Sequence, residues 1–402
     1  MRLAVGLTGV LLLGFSAPAR AQHLDVPTTL GPAEARQALE RSLEWLVTNQ
    51  NEDGSWATGA LDGLLELGFS IESFYSWQVA ANALTCLALL HAPETPARRA
   101  SLERGLRWLE ETRGPKRGSD WDIDYVWGGL FGFAVATEVA DDPRFRQGEW
   151  PERLARIGKR SFAILEANQV PEGGWGYYDD PVYSRRPKWA TSFSTATVLP
   201  ALRRGEELGW VSDPKIRARA THFVGQCSLP NGAYAYDLSV IPWVGGDSIN
   251  DVKGSLSRIQ VCNWALYSVG EKKITLDRLR SGLELFFEHH SFLDVAYMDP
   301  VPHEAYYFNS GYFYLFGHYY AARVIELLPQ EEREGWHARL RPHLVKVMRA
   351  GGESSDFLTS AYMKVAGTAF SALALEIGLP SGPEEGDPAA GVAPAKPGAI
   401  PR

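Results

Sequence analysis

From residue 30 to residue 378 apolar positions recur at helical period almost without interruption. In the first stretch Ala35, Ala38, Leu39, Ser42, Leu43, Leu46 and Val47 follow i, i+3, i+4, i+7 spacing, with acidic and basic residues between them. Comparable amphipathic stretches cover 97–112, 151–167, 213–226, 275–289 and 331–348. Between them run stretches of a second kind, richer in Ala and nearly free of charge: 77–91, 126–140, 191–203, 258–269, 310–327 and 362–377. A helix that is apolar on nearly every side must be buried on nearly every side. Two kinds of helix therefore alternate, six of each.

The amphipathic stretches start 54 to 63 residues apart, so the repeating unit is one helical hairpin. The predicted fold class is all-α: an (α/α)6 toroid of six hairpins, with the apolar helices as the inner ring and the amphipathic ones outside. An open superhelix is the alternative. The connections carry a pattern of their own. Trp45-x4-Gln50-x3-Gly54-x-Trp56 closes the first outer helix, and Gln169-x3-Gly173-x-Trp175 closes the third at the same spacing. Gln226, Gly232 and Tyr234 form a looser copy. Glycine permits a positive φ past the helix end, the aromatic ring can fold back over the last turn, and the Gln amide can satisfy backbone groups left free there.

This pattern resembles the QW repeat of the terpene cyclase and protein prenyltransferase β-subunit superfamily, clearly in the first and third units and loosely over 35–375. The resemblance implies a squalene-cyclase-like single barrel. In that family the repeat is a structural staple, so the chemistry needs separate evidence. The acid motif of the class II cyclases, Asp-x-Asp-Asp, is not matched by Asp120-Trp121-Asp122-Ile123-Asp124. The prenyltransferase zinc set needs an Asp two residues before a Cys, and none of Cys86, Cys227 and Cys262 has one. The Cys-Gly-Glu-Gln thioester of the complement members is absent too.

The chain's ends have different character. Arg2, the apolar run Leu3–Phe15 and the small-x-small site Ala19-Arg20-Ala21 predict a signal peptide over 1–21 and a periplasmic or extracellular protein. The toroid domain is expected over 30–378, followed by a disordered Pro/Gly/Ala-rich tail over 379–402. The net charge of −8 gives no basic excess for nucleic acid, and no later apolar run is long enough to span a membrane. Three cysteines do not make a disulfide scaffold, and Cys86 and Cys262 read as buried free thiols. Neither CxxC nor HExxH occurs, so no metal and no cofactor is expected.

In a closed ring all inner helices run parallel, so their N-termini should gather at one mouth. Residues just ahead of those helices are the site candidates. Asp122 or Asp124 is the candidate acid, with His303 or Glu304 as its partner. Trp77, Trp121, Trp127, Arg185, Trp189 and Tyr307 are the candidate substrate-binding walls. Aromatic faces stabilise cations and stack on rings. The helix dipoles favour ionised carboxylates at this mouth, so only a carboxyl shielded from water would keep its proton near neutral pH. The leading expectation is an enzyme using carboxylate acid/base chemistry on an apolar or cyclic substrate in the central cavity. Two rivals remain: a non-catalytic toroid that captures a small molecule or partner protein, and a glycan-cleaving enzyme of similar ring shape.

Overall fold

A computed structural model describes residues 27–60, 62, 69–118, 124–177, 189–238 and 247–379. The expected signal peptide lies outside the described residues, as does all but the first residue of the expected tail. Among the described residues there is no β-strand, only isolated bridges between Trp175 and Thr191 and between Ser228 and Tyr234. No helix there is long and apolar enough to cross a membrane.

The six amphipathic stretches form α1 (Pro32–Thr48), α3 (Pro96–Glu111), α5 (Trp150–Asn168), α7 (Lys215–Gln226), α9 (Leu276–Glu288) and α12 (Gln330–Val347). The six apolar stretches form α2 (Ile71–His91), α4 (Val126–Asp141), α6 (Ser192–Glu207), α8 (Leu256–Ser268), α11 (Phe313–Ile325) and α13 (Ala361–Ile377). Two details depart from the sequence reading. Helix α2 starts six residues earlier than expected, because the Ser70 hydroxyl accepts the Ser73 N–H and caps it there. A short extra helix, α10 (Ser291–Ala296), follows α9.

The apolar helices make the inner ring. Each packs on the next in the order α2, α4, α6, α8, α11, α13, and α13 packs back on α2. Each outer helix lies behind the inner helix that precedes it, and α1, which has none, lies behind α13. The architecture is therefore a closed α/α toroid and not an open superhelix.

The turn after the outer helix carries much of this geometry. Trp56 Nε1–H donates to Leu46 O (2.6 Å), and Trp175 Nε1–H donates to Leu165 O (2.8 Å), so each buried indole covers the last turn of its own outer helix. Gln50 Nε2 donates to Gly54 O (2.8 Å) and to Ser101 O on α3 (2.9 Å). Gln169 does the same with Gly173 O (2.7 Å) and Ile216 O on α7 (2.8 Å). The glutamine thus ties one unit to the next. The third copy keeps the turn but not the staple: Tyr234 OH donates to Asn263 on α8 (2.9 Å) instead of covering α7.

A fourth copy, at Arg349–Glu353, has neither Gln nor aromatic residue. Its Gly352 N–H donates to Arg349 O (2.9 Å), matching Gly54 to Asn51 (3.0 Å) and Gly173 to Val170 (2.9 Å). The glycines sit at φ of 89°, 107° and 96° for Gly54, Gly173 and Gly352. Each lies flat on the backbone of the following outer helix, where an added Cβ would come within 2.7 Å of Arg104 O, 2.5 Å of Arg219 O and 2.4 Å of Arg41 O. Arg41 belongs to α1, so the contact that joins neighbouring units also joins the last unit to the first. All four turns receive help from the ring inside. The backbone N–H groups of Trp56, Trp175, Tyr234 and Ser354 donate to Asn82, Thr195 and Thr368 on inner helices and to Ser255 at the start of α8, at 2.9 to 3.0 Å.

Two polar ties complete the ring. The buried Arg341 guanidinium holds Glu334 by two bonds (2.6 and 2.8 Å) and also reaches Leu30 O and Gly378 O, the two ends of the folded chain. At the C-terminal ends of the inner helices, Arg323 on α11 meets Glu138 on α4 (3.2 Å) across the ring, and His91 on α2 joins them (2.9 Å). Burial alone would raise the Glu138 carboxyl, but Arg323 and His91 hold it down at about 2.

Removing the covering indole in Trp175→Ala should destabilise the chain by about 3 kcal/mol, read from the urea midpoint. Gly352→Ala should cost about 2 kcal/mol, because it adds both a strained φ and a collision with the Arg41 backbone. Gly270→Ala, at a positive φ but with open space around it, should cost only about 1 kcal/mol. Equal losses in the two glycine variants would remove the ring-closing role from Gly352.

Candidate functional site

The first turns of the inner helices do converge, and a cavity of about 500 Å³ opens among them. That volume suits one small organic molecule. Trp77 comes from α2, Trp127 and Phe131 from α4, Phe193 from α6, Phe316 from α11 and Phe370 from α13. The rings brace one another: Trp77 stacks on Tyr362 at 4.8 Å, and Phe131 meets Phe370 edge-on at 6.0 Å. The apolar character follows from the sequence rule for inner helices. A helix side turned neither to a neighbour nor to water is turned to the cavity, and it carries the same residues as the core.

Among the described residues, two carboxyls and one imidazole enter this apolar lining: Asp124, Asp356 and His303. Asp124 precedes α4, is buried, and accepts the Trp127 indole N–H at 3.0 Å. His303 stands at φ 64° and Tyr307 at φ 58°. These left-handed turns fold the segment so that His303 points inward. Its Nδ1 lies 2.7 Å from Phe308 O, so Nδ1 bears the proton and Nε2 accepts from Tyr312 OH at 2.7 Å. Burial, with some contribution from Arg258, pushes the imidazole down to about 4, so it is neutral at pH 7. Arg258 itself is buried on α8, stacked 5.2 Å from the Tyr236 ring, with Nη1 unpartnered among the described residues.

Asp356 is the residue the sequence reading missed. It lies between α12 and α13 in Ser354-Ser355-Asp356, a run with no spacing signal. Its Oδ2 accepts the Leu315 N–H in the first turn of α11 (2.7 Å), and its carbonyl accepts the Met298 N–H (2.8 Å). The helix end favours a charged carboxylate, but burial outweighs it and raises the group to about 7. The shielded carboxyl that the sequence required is therefore present, on a different loop from the one expected.

The remaining candidates divide. Trp77, Trp127, Asp124 and His303 line the cavity. Trp189 stands one layer behind, edge-on to Tyr177 at 5.5 Å, with its Nε1–H on Asp237 (2.7 Å). Glu304 is exposed, and Tyr307 packs against Phe292 with its hydroxyl 3.4 Å from Lys253 Nζ. The turn that points His303 inward leaves both outside the cavity lining. Trp121, Asp122 and Arg185 lie outside the described residues. All three cysteines are buried and free, and none lines the cavity.

No protein-family model matches the sequence, and no curated protein does. Solved structures do match. The α-1,6-mannanase GH76A of Salegentibacter sp. HEL1_6 superposes with a TM-score of 0.54 at 11% identity, over 85% of this chain and 99% of that one. The Lin0763 protein of Listeria innocua gives 0.53 at 11% identity, over 86% and 96%. The type II terpene cyclase MstE of Scytonema gives 0.48 at 12% identity, over 86% and 98%. At 11% identity the likeness to the first two is one of fold, the α/α toroid.

The Asp356 carboxyl gives a pH signature. Folded, it keeps its proton up to about 7, whereas an unfolded Asp loses it near about 3.9. The native state therefore holds the extra proton between these values. The stability it contributes is complete below about pH 4, drains as pH rises to about 7, and is flat above. Asp356→Asn keeps an acceptor for Leu315 and removes the slope. Its urea midpoint should gain on the wild type from pH 4 to 7 and then run parallel. A constant difference would mean that Asp356 titrates as an ordinary carboxylate.

Proposed function

We propose that this protein is an enzyme that uses carboxylate acid/base chemistry on an apolar or cyclic small molecule held in the ring. The observation that carries the reading is Asp356: a buried carboxyl, raised to about 7, on the lining of an aromatic cavity. A neutral acid in such a place can give its proton to an alkene or a leaving group. Its Oδ2 accepts the Leu315 N–H, and its own backbone N–H also bonds the carboxyl. Trp77, Trp127 and Phe316 line the cavity, and aromatic rings there stabilise the cationic carbon that protonation of an alkene creates. Asp124 is the second carboxylate, held by Trp127. His303 has both ring nitrogens occupied, so its role is to position Tyr312 and the wall.

A glycan-cleaving enzyme is the second reading, supported by two carboxyl groups on one cavity and by the likeness to a mannanase. An oligosaccharide, however, needs many hydrogen-bond partners, and this lining is mostly aromatic and aliphatic. A purely binding toroid would use Asp356 only to hold the first turn of α11. We also propose that the Gln–Gly–Trp turns are QW repeats, and that the chain is exported through the signal peptide at 1–21.

Organic extracts of wild-type and Asp356→Asn protein, purified from the native host and compared by chromatography and mass spectrometry, test this. The variant should retain an apolar compound that the wild type converts, with turnover lowered at least about 100-fold. Hydrolysis of α-1,6-mannotriose by the wild type would transfer the assignment to the glycan reading. Identical extracts with no conversion by either protein would leave a binding toroid.

A further inference from the structure

A second cluster of titratable groups lies away from the cavity. His290 stands at the junction of α9 and α10, His318 on α11 and His343 on α12. One nitrogen from each ring falls within 4.8 Å of the other two. None of the three lines the central cavity.

The proton positions decide what this cluster can hold. His318 Nδ1 lies 2.7 Å from Tyr314 O, a pure acceptor, so Nδ1 carries the hydrogen and Nε2 a lone pair. His290 Nδ1 lies 3.1 Å from Asp294 Oδ2, and the carboxylate again takes the N–H. The two Nε2 atoms then face each other at 2.9 Å. With both rings neutral, two lone pairs point at one another. Both rings are buried, so a second, charge-bearing proton between them would have to be carried away from water. His343 adds a third nitrogen donor: its Nδ1 is buried and has no partner among the described residues.

We propose that His290, His318 and His343 bind one divalent transition-metal ion of the zinc class. A metal between the facing nitrogens turns their repulsion into two bonds. The supports are those of a metal-ligating histidine, whose remote N–H goes to a carboxylate or a backbone carbonyl. Asp294 and the Tyr314 carbonyl stand in those places. Zinc–nitrogen bonds of about 2.0 to 2.1 Å in a tetrahedron put ligand atoms roughly 3.3 Å apart, so the two Nε2 atoms need move only slightly outward. The His343 ring, stacked 3.6 Å over His290, has to turn off that face. It is the half-exposed member of the three and marks the way in from solvent. Asp294 also pairs with Lys346, so their charges cancel, and three neutral imidazoles carry the ion, with a fourth position for water. No short ligand motif announces this site, because its residues lie 28 and 25 positions apart on three elements. Bound there, the ion ties α10 and the mouth segment that follows it to α11 and α12.

The test uses the full-length protein without a polyhistidine tag, stripped by chelator and titrated with zinc chloride in a calorimeter. One zinc per chain, bound at micromolar strength or tighter, with a rise in melting temperature at saturation, is the expected result. His343→Ala should weaken binding by about 100-fold and Asp294→Asn by about 10-fold, while magnesium, an oxygen-seeking ion, gives no heat. Should His343→Ala not fold, cobalt(II) titration of the wild type decides, since four-coordinate nitrogen ligation and six-coordinate surface binding differ in visible absorption. No stoichiometric zinc, equal binding by a folded His343→Ala variant, or a six-coordinate cobalt spectrum would overturn the proposal.

Discussion

Six helices that are apolar around most of their circumference can all be buried only if each has a neighbour on both sides and a cover behind. A row of such helices leaves two ends exposed, and a ring leaves none. That constraint orders the molecule. It places amphipathic helices outside with one face inward, makes the inner helices parallel, and brings their first turns to a common mouth. The cavity is what remains at the centre when helices of this diameter meet edge to edge. Its aromatic lining is the ring's own core turned inward.

Ring closure also explains why the turns after the outer helices are so alike. The backbone of Gly54, Gly173 or Gly352 touches the next outer helix directly, which no residue with a Cβ could do without displacing it. The aromatic and the glutamine are additions to that contact. Trp56 and Trp175 carry both additions, Tyr234 uses its ring for another purpose, and Gly352 has neither. The sequence pattern therefore reveals the turn where the additions are present and hides it at 349–353, where only the glycine survives.

The same distinction separates what could be read ahead of the structure from what could not. Periodicity and charge are local, and they give the twelve helices, their two kinds and the mouth with Trp77, Trp127, Asp124 and His303. The direction of a loop side chain is not local. Glu304 reads as an alternative to His303 as the acid's partner and Tyr307 as a wall, yet left-handed backbone at 303 and 307 leaves both outside the cavity lining. Asp356 gains its character from what buries it, above all the first turn of α11, 41 residues away in sequence. A helix dipole that should ionise it loses to desolvation, and only the folded packing shows which of the two is larger. The three histidines are hidden for the same reason, since each comes from a different stretch of the chain.

Arg341 holds carbonyls from both ends of the folded chain, Leu30 at the start and Gly378 at the finish. The order in which the chain is made is therefore almost arbitrary with respect to its final shape. Joining the ends through a short linker and opening the chain at another unit boundary would yield a circular permutant with the same helix pairs in the same places. The native order carries a kinetic consequence instead. While the polypeptide emerges, α1 has no inner helix to lie against until α13, the last one, is complete. The earliest outer helix must wait, with its apolar face uncovered, for the final seventeen residues of the ring. Any cellular factor that shields nascent hydrophobic surface would have its longest task at that first hairpin.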